Sequence, residues 1–208
     1  MQTLFPLFLA LSVGFAHAFE ADHLVAVSSI VTRRNNIRLA LKDGVFWGLG
    51  HTSTILLVGS VFMLGKFALH AGDFRYLEAG VGVMLVTLGS LRLYKLMVYR
   101  ELAITHTHVH EGHAHKLAYG VGLVHGLAGS GALILSVLTQ IKETGAGMIY
   151  LGLFGIGSIV GMMVAAGAFS VPFSVRMATN PWVRTMLVVV SSVVCIGLGA
   201  TVIYENAM

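Results

Sequence analysis

Charge is scarce in this sequence: 11% of its 208 residues are Asp, Glu, Lys or Arg, against 56% hydrophobic. Too few polar side chains remain to coat a water-soluble globule, and a mean hydropathy of +0.85 points to a chain solvated by lipid. Cysteine is nearly absent as well. Cys195 stands alone, which excludes an intramolecular disulfide and electron carriage by paired thiols. Only 3 prolines accompany 25 glycines, a balance suited to closely packed membrane helices, where small residues let backbones approach. The basic surplus, net +4, falls in short connections beside apolar runs. Topology accounts for it, and nucleic acid is not expected as a partner.

What the sequence does have is long apolar stretches. They run approximately over Leu4–Val31, Asp43–Leu64, Tyr76–Val98, Leu117–Thr139, Ala146–Phe169 and Arg184–Tyr204. Each reaches the ~20 residues that a spanning helix needs. The expected fold is therefore an all-α integral membrane protein of six transmembrane helices, a single domain over residues 1–208. The first stretch is read as a retained helix and not a signal peptide, because Arg33, Arg34 and Arg38 follow the apolar run instead of preceding it. Of the 13 Lys and Arg residues, 10 fall on the side that includes Arg33, Arg92 and Arg176, and only Lys66, Arg75 and Lys142 on the other. That asymmetry places both termini outside the cytoplasm of a multi-pass cell-membrane (inner-membrane) protein.

Three short echoes run through the chain. Gly14-Phe-Ala-His17 corresponds to Gly122-Leu-Val-His125, Gly48-Leu-Gly50 to Gly155-Ile-Gly157, and Leu88-Gly-Ser to Leu198-Gly-Ala. The offsets lie between 107 and 110 residues. Partners three helices apart cross the membrane in opposite directions, the signature of a 3+3 inverted-topology repeat with a site between the halves. The halves are expected at about 1–98 and 117–208, joined by a His-rich cytoplasmic loop over 99–116.

Ionisable residues inside an apolar helix cost at least ~2.5 kcal/mol each on insertion scales, so His17, Glu20, Asp22 and His23 need an explanation. On a straight helix at ~100° per residue, His17, Glu20 and His23 share one face and Asp22 falls off it. Joining Asp22 to both histidines requires local unwinding, as in transporters with interrupted helices. Imidazoles mixed with carboxylate suit a divalent transition metal, whereas calcium and magnesium prefer oxygen cages. His106, His108, His110, His113 and His115 form a second group. Alternating along an extended chain, they offer exchangeable ligands for metal capture on the cytoplasmic side.

His17-Ala-Phe-Glu-Ala-Asp22-His23 matches the His-x4-Asp-His signature of the nickel/cobalt transporter family, and Leu49-Gly50-His51-Thr52 resembles that family's Leu-Gly-His-Ser/Thr motif on the next helix. The resemblance is close over residues 12–60. An Asp-Thr-Ala-Thr-Glu-like motif of the longer permeases is missing, with Leu123-Val-His125-Gly in its place, which is more similar to the compact, UreH-like urease-accessory branch and efflux-type relatives. The resemblance implies a permease in which His17, Asp22, His23 and His51 ligate the ion, with Glu20 and His125 as secondary candidates. Its cargo would be nickel, or else cobalt or iron, carried by alternating access, uptake being favoured over efflux. The metal is cargo, so no resident cofactor is expected. A cytoplasmic metallochaperone would fit as a partner. The competing reading is an intramembrane metal-dependent hydrolase using Glu20, but the sequence has no His-Glu-x-x-His motif, and an enzyme is not the expectation.

Overall fold

The computed structural model describes residues 4–31, 36–65, 75–99, 111–128, 143–171 and 181–207. Among these residues it is entirely helical: α1 Leu4–His17, α2 Ala21–Val31, α3 Ile37–Gly65, α4 Arg75–Tyr99, α5 Glu111–Ala128, α6 Thr144–Ser170 and α7 Pro181–Ala207. Among the described residues, four stretches are long and apolar enough to cross a membrane: Ile37–Gly65, Arg75–Val98, Thr144–Ser170 and Thr185–Ala207. Pro6–His17 and Ala21–Val31 are shorter apolar helices.

The first apolar stretch is not one helix. After His17 the chain turns through Ala18, Phe19 and Glu20. Phe19 N–H donates to the Ala16 carbonyl and Glu20 N–H to the His17 carbonyl, at 2.9 and 3.1 Å. Helical bonding restarts when Leu24 N–H reaches the Glu20 carbonyl at 3.0 Å. Asp22 then sits in the first turn of α2, where a carboxylate suits the positive end of the helix. Further on, Asn36 caps α3: its Oδ1 accepts Arg38 N–H at 2.9 Å, the arrangement that makes Asn a favoured cap. Pro181 opens α7, a position where its missing N–H costs nothing.

The His-rich tract also differs from expectation. His113 and His115 belong to α5, so helix replaces the end of the expected loop at 99–116. His106, His108 and His110, and the end of the fourth apolar stretch after Ala128, lie outside the described residues.

The interior mixes small and polar residues with a core of Trp47, Leu85, Leu151 and Met162, and many other large apolar side chains face outwards. Leu57, Leu64 and Met97 are 67, 75 and 72% exposed, whereas His23, His51, His125 and Ser158 are fully buried. Water would not tolerate that distribution, but lipid does. Glycines set the close crossings. A Cβ on Gly122 would run into the Trp47 carbonyl, joining α5 to α3, and one on Gly14 would run into the Phe154 carbonyl, joining α1 to α6. α2 lies in the middle, its Ser29 hydroxyl reaching the Cys195 thiol of α7 at 3.6 Å. That thiol donates in turn to the Leu85 carbonyl of α4 at 3.2 Å.

Candidate metal centre

His51 is the middle residue of the 29-residue α3, so it lies ~21 Å from either end at 1.5 Å per residue. The break after α1 brings two more imidazoles to that depth, from the last residue of one short helix and the first turn of the next. The ring of His17 is 4.4 Å from that of His23 and 5.3 Å from that of His51, and His23 is 5.2 Å from His51. Each of the three offers a ligand atom within 4.8 Å of the others. Nε2 of His17, Nε2 of His23 and both ring nitrogens of His51 are buried without a hydrogen-bond partner among the described residues. Orphaned nitrogens in a low-dielectric interior are costly, and an ion with room for three donors would satisfy them.

Asp22 is placed differently. Its Oδ1 lies 2.9 Å from His23 Nδ1 and its Oδ2 3.1 Å from His125 Nε2. The carboxylate therefore bridges α2 to α5 and is not grouped with His17 and His51. Asp22, His23 and His125 form a second set with ligand atoms within 4.8 Å of one another. Glu20 sits on the turn with its side chain 53% exposed, Oε1 2.8 Å from His17 Nδ1 but off the line of a hydrogen bond. The hydroxyls tie helices together: Thr52 donates to the Gly155 carbonyl at 3.1 Å, Ser158 to the Gly14 carbonyl at 3.1 Å, and Thr54 to the Leu123 carbonyl at 3.0 Å.

Of the tract histidines, His115 has a described side chain, and it is not at liberty. Its Nδ1 lies 2.7 Å from Oδ1 of the buried Asp43, and its ring stacks on Phe46 at 5.0 Å and 14°. Two residues of this region escape sequence reasoning. Trp47, fully buried, stands 5.7 Å from His23 and 5.9 Å from His125; a tryptophan in an apolar helix reads as packing. Asp43 reads as the edge of a span, where charge is cheap, although its spacing of eight residues from His51 puts it two turns away on the same helix.

No family model matches the chain, and no solved structure matches it. It is 33% identical over 174 residues to the urease accessory protein UreH of Bacillus sp. (strain TB-90), covering 80% of this chain and 76% of that protein. It is 26 and 24% identical over 206 residues to two proteins of Arabidopsis thaliana, chloroplast protein FOR GROWTH AND FERTILITY 2 and 1. Those matches cover 93 and 91% of this chain, which spans 54 and 56% of the two plant proteins.

Proposed function

The chain belongs to the family of the urease accessory protein UreH, within the nickel/cobalt transporter superfamily, and from that premise we propose that it is a permease for a divalent transition-metal ion. Nickel is the first candidate, with cobalt and iron next. The observation that carries this reading is the meeting of His17, His23 and His51 at mid-helix depth, with buried nitrogens lacking partners. Nitrogen donors in that number suit nickel, cobalt, zinc or iron and not a hard cation. Asp22, bonded to His23 Nδ1, holds that ring so that Nε2 faces the ion, the way a carboxylate orients a metal-bound histidine. The C-terminal end of α1 at His17 adds the negative end of a helix dipole, which favours a cation.

Alternating access between two inverted halves, within one domain of six spans, is the mechanism this reading implies. Its support is the correspondence of crossings under the sequence echo. Gly14 meets Phe154 and its counterpart Gly122 meets Trp47, while Gly48 meets Ile159 and its counterpart Gly155 meets Thr52. Gly89 meets Ser192 as Gly199 meets Gly82. The membrane potential, worth ~2.3 kcal/mol per charge per 100 mV, favours entry of a dication over its export. With both termini outside, the tract from His106 to His113 would face the cytoplasm, where its histidines receive the ion or pass it to a metallochaperone. A hydrolase finds no support: the family is one of transporters and accessory proteins, not enzymes, and Glu20 is half exposed on the turn.

Radiometal flux in proteoliposomes of defined orientation tests the reading, comparing nickel, cobalt, iron, zinc and manganese with and without a pH gradient. Saturable flux of nickel, lost in His23→Ala, is expected. Folded protein that carries none of the five ions would overturn it.

A further inference from the structure

Beside the three-imidazole cluster there is a second place for an ion. Asp22, His23 and His125 bring one ligand atom each within 4.8 Å of the others, as His17, His23 and His51 do, and His23 is common to both groups. The two nitrogens of His23 have different surroundings. Nδ1 lies 2.9 Å from Asp22 Oδ1, whereas Nε2 is buried without a partner among the described residues. Imidazole nitrogens point away from one another across the ring, so His23 can hold an ion on either side of itself. His125 is fully buried, with Nε2 on Asp22 Oδ2 at 3.1 Å and Nδ1 unpartnered.

Resting on the permease reading, we infer that the ion occupies two adjacent positions in turn: a three-imidazole position of His17, His23 and His51, and a mixed position of Asp22, His23 and His125. In the first, the ion binds Nε2 of His23 while Nδ1–H donates to Asp22. In the second, the ion takes the place of those hydrogen bonds, binding Nδ1 of His23, Nε2 of His125 and an Asp22 oxygen. The His23 proton then resides on Nε2 and the His125 proton on Nδ1, so both rings are neutral in both positions and no net proton is consumed. Two dications a ring's width apart repel strongly in a low-dielectric interior, so occupancy is exclusive and one ion steps between positions. The step carries it from helices α1 and α3 towards α5, with His23 present at both ends. The ion thus never faces the membrane interior stripped of most of its donors. The carboxylate of the second position offsets part of the charge and makes it the harder site.

Cobalt(II) binding and its electronic absorption, measured on the full chain in detergent, separate the two positions, with cobalt flux in proteoliposomes as the second readout. Wild-type protein should bind a single cobalt ion. His51→Ala should still bind one, with a spectrum shifted by the carboxylate donor, and adding Asp22→Asn to it should weaken binding by roughly 10-fold or more. His125→Ala and Asp22→Asn alone should each retain cobalt on the three-imidazole position yet lose roughly 10-fold or more of the flux. Asp22→Asn is nearly isosteric, and monodisperse elution with parental thermal unfolding shows that it folds. Cobalt flux at the wild-type rate in folded His125→Ala or Asp22→Asn protein would overturn the two-position step while leaving the permease reading intact. Wild-type protein that binds no cobalt and carries none would overturn both.

Discussion

Asp22 has both carboxylate oxygens engaged, one on His23 and one on His125, which makes it the residue through which the two ends of the cluster communicate. A different carboxylate lies two turns from His51 on α3. Asp43 is buried and bonded to His115 at 2.7 Å, so His115 acts as an anchor between α5 and α3, and under the proposed function capture falls to the remaining tract histidines. His115→Ala should lower stability by about 1.5–3 kcal/mol, the usual loss for a hydrogen bond to a charged group, and thermal unfolding in detergent checks it. Replacing His106, His108 and His110 with serine should leave the unfolding temperature alone and reduce flux only at low metal concentration. The cost of ionisable groups in lipid singled out His17, Glu20, Asp22 and His23 in the sequence without choosing between the carboxylates; the family resemblance favoured Asp22 and added His51. That same reasoning passed over Asp43, because a charge at the end of an apolar run looks solvated. It also gave His125 a secondary place, because what recruits His125 is a contact with a residue 103 positions away.

Helices meet here through glycines, and the crossings fix where each imidazole arrives. Gly122 lies one turn before His125 on α5 and presses on the Trp47 carbonyl, one turn before His51 on α3. Backbone cannot step aside as a side chain can. Gly122→Ala should therefore cost about 1–3 kcal/mol through overpacking. Gly120→Ala, two residues away with nothing within 4 Å of its added Cβ, should be silent in the same unfolding measurement. Element boundaries were the least legible feature. Periodicity left open whether the first apolar stretch was straight or interrupted, and the turn at Ala18–Glu20 resolves it through backbone bonds that no periodicity encodes. The histidine tract looked like loop because alternating polar residues carry no helical stripe, yet a tertiary bond to Asp43 accompanies helix through His115.

At the scale of the molecule, large apolar side chains on the exterior and histidines and hydroxyls buried beside the apolar core express one requirement: the outside suits lipid while the inside holds polar groups. The membrane class followed directly from composition, since scarcity of charge leaves no aqueous alternative. Paired packing of α1 on α6 and of α5 on α3, through glycines that the sequence echo relates, gives the proposed exchange of access a structural basis. Under the proposed function the ion crosses where these pairs meet, at a cluster that relies on the Asp22 carboxylate and not on the half-exposed Glu20. The initial rate of nickel entry into proteoliposomes, compared for Asp22→Asn and Glu20→Gln against the parent protein, decides between them. Asp22→Asn should fall by about 10- to 100-fold, the usual cost of losing a carboxylate that orients a metal-binding histidine, and Glu20→Gln should stay near the parental rate. Normal entry through Asp22→Asn with loss in Glu20→Gln would contradict this assignment and place the ion on the other carboxylate.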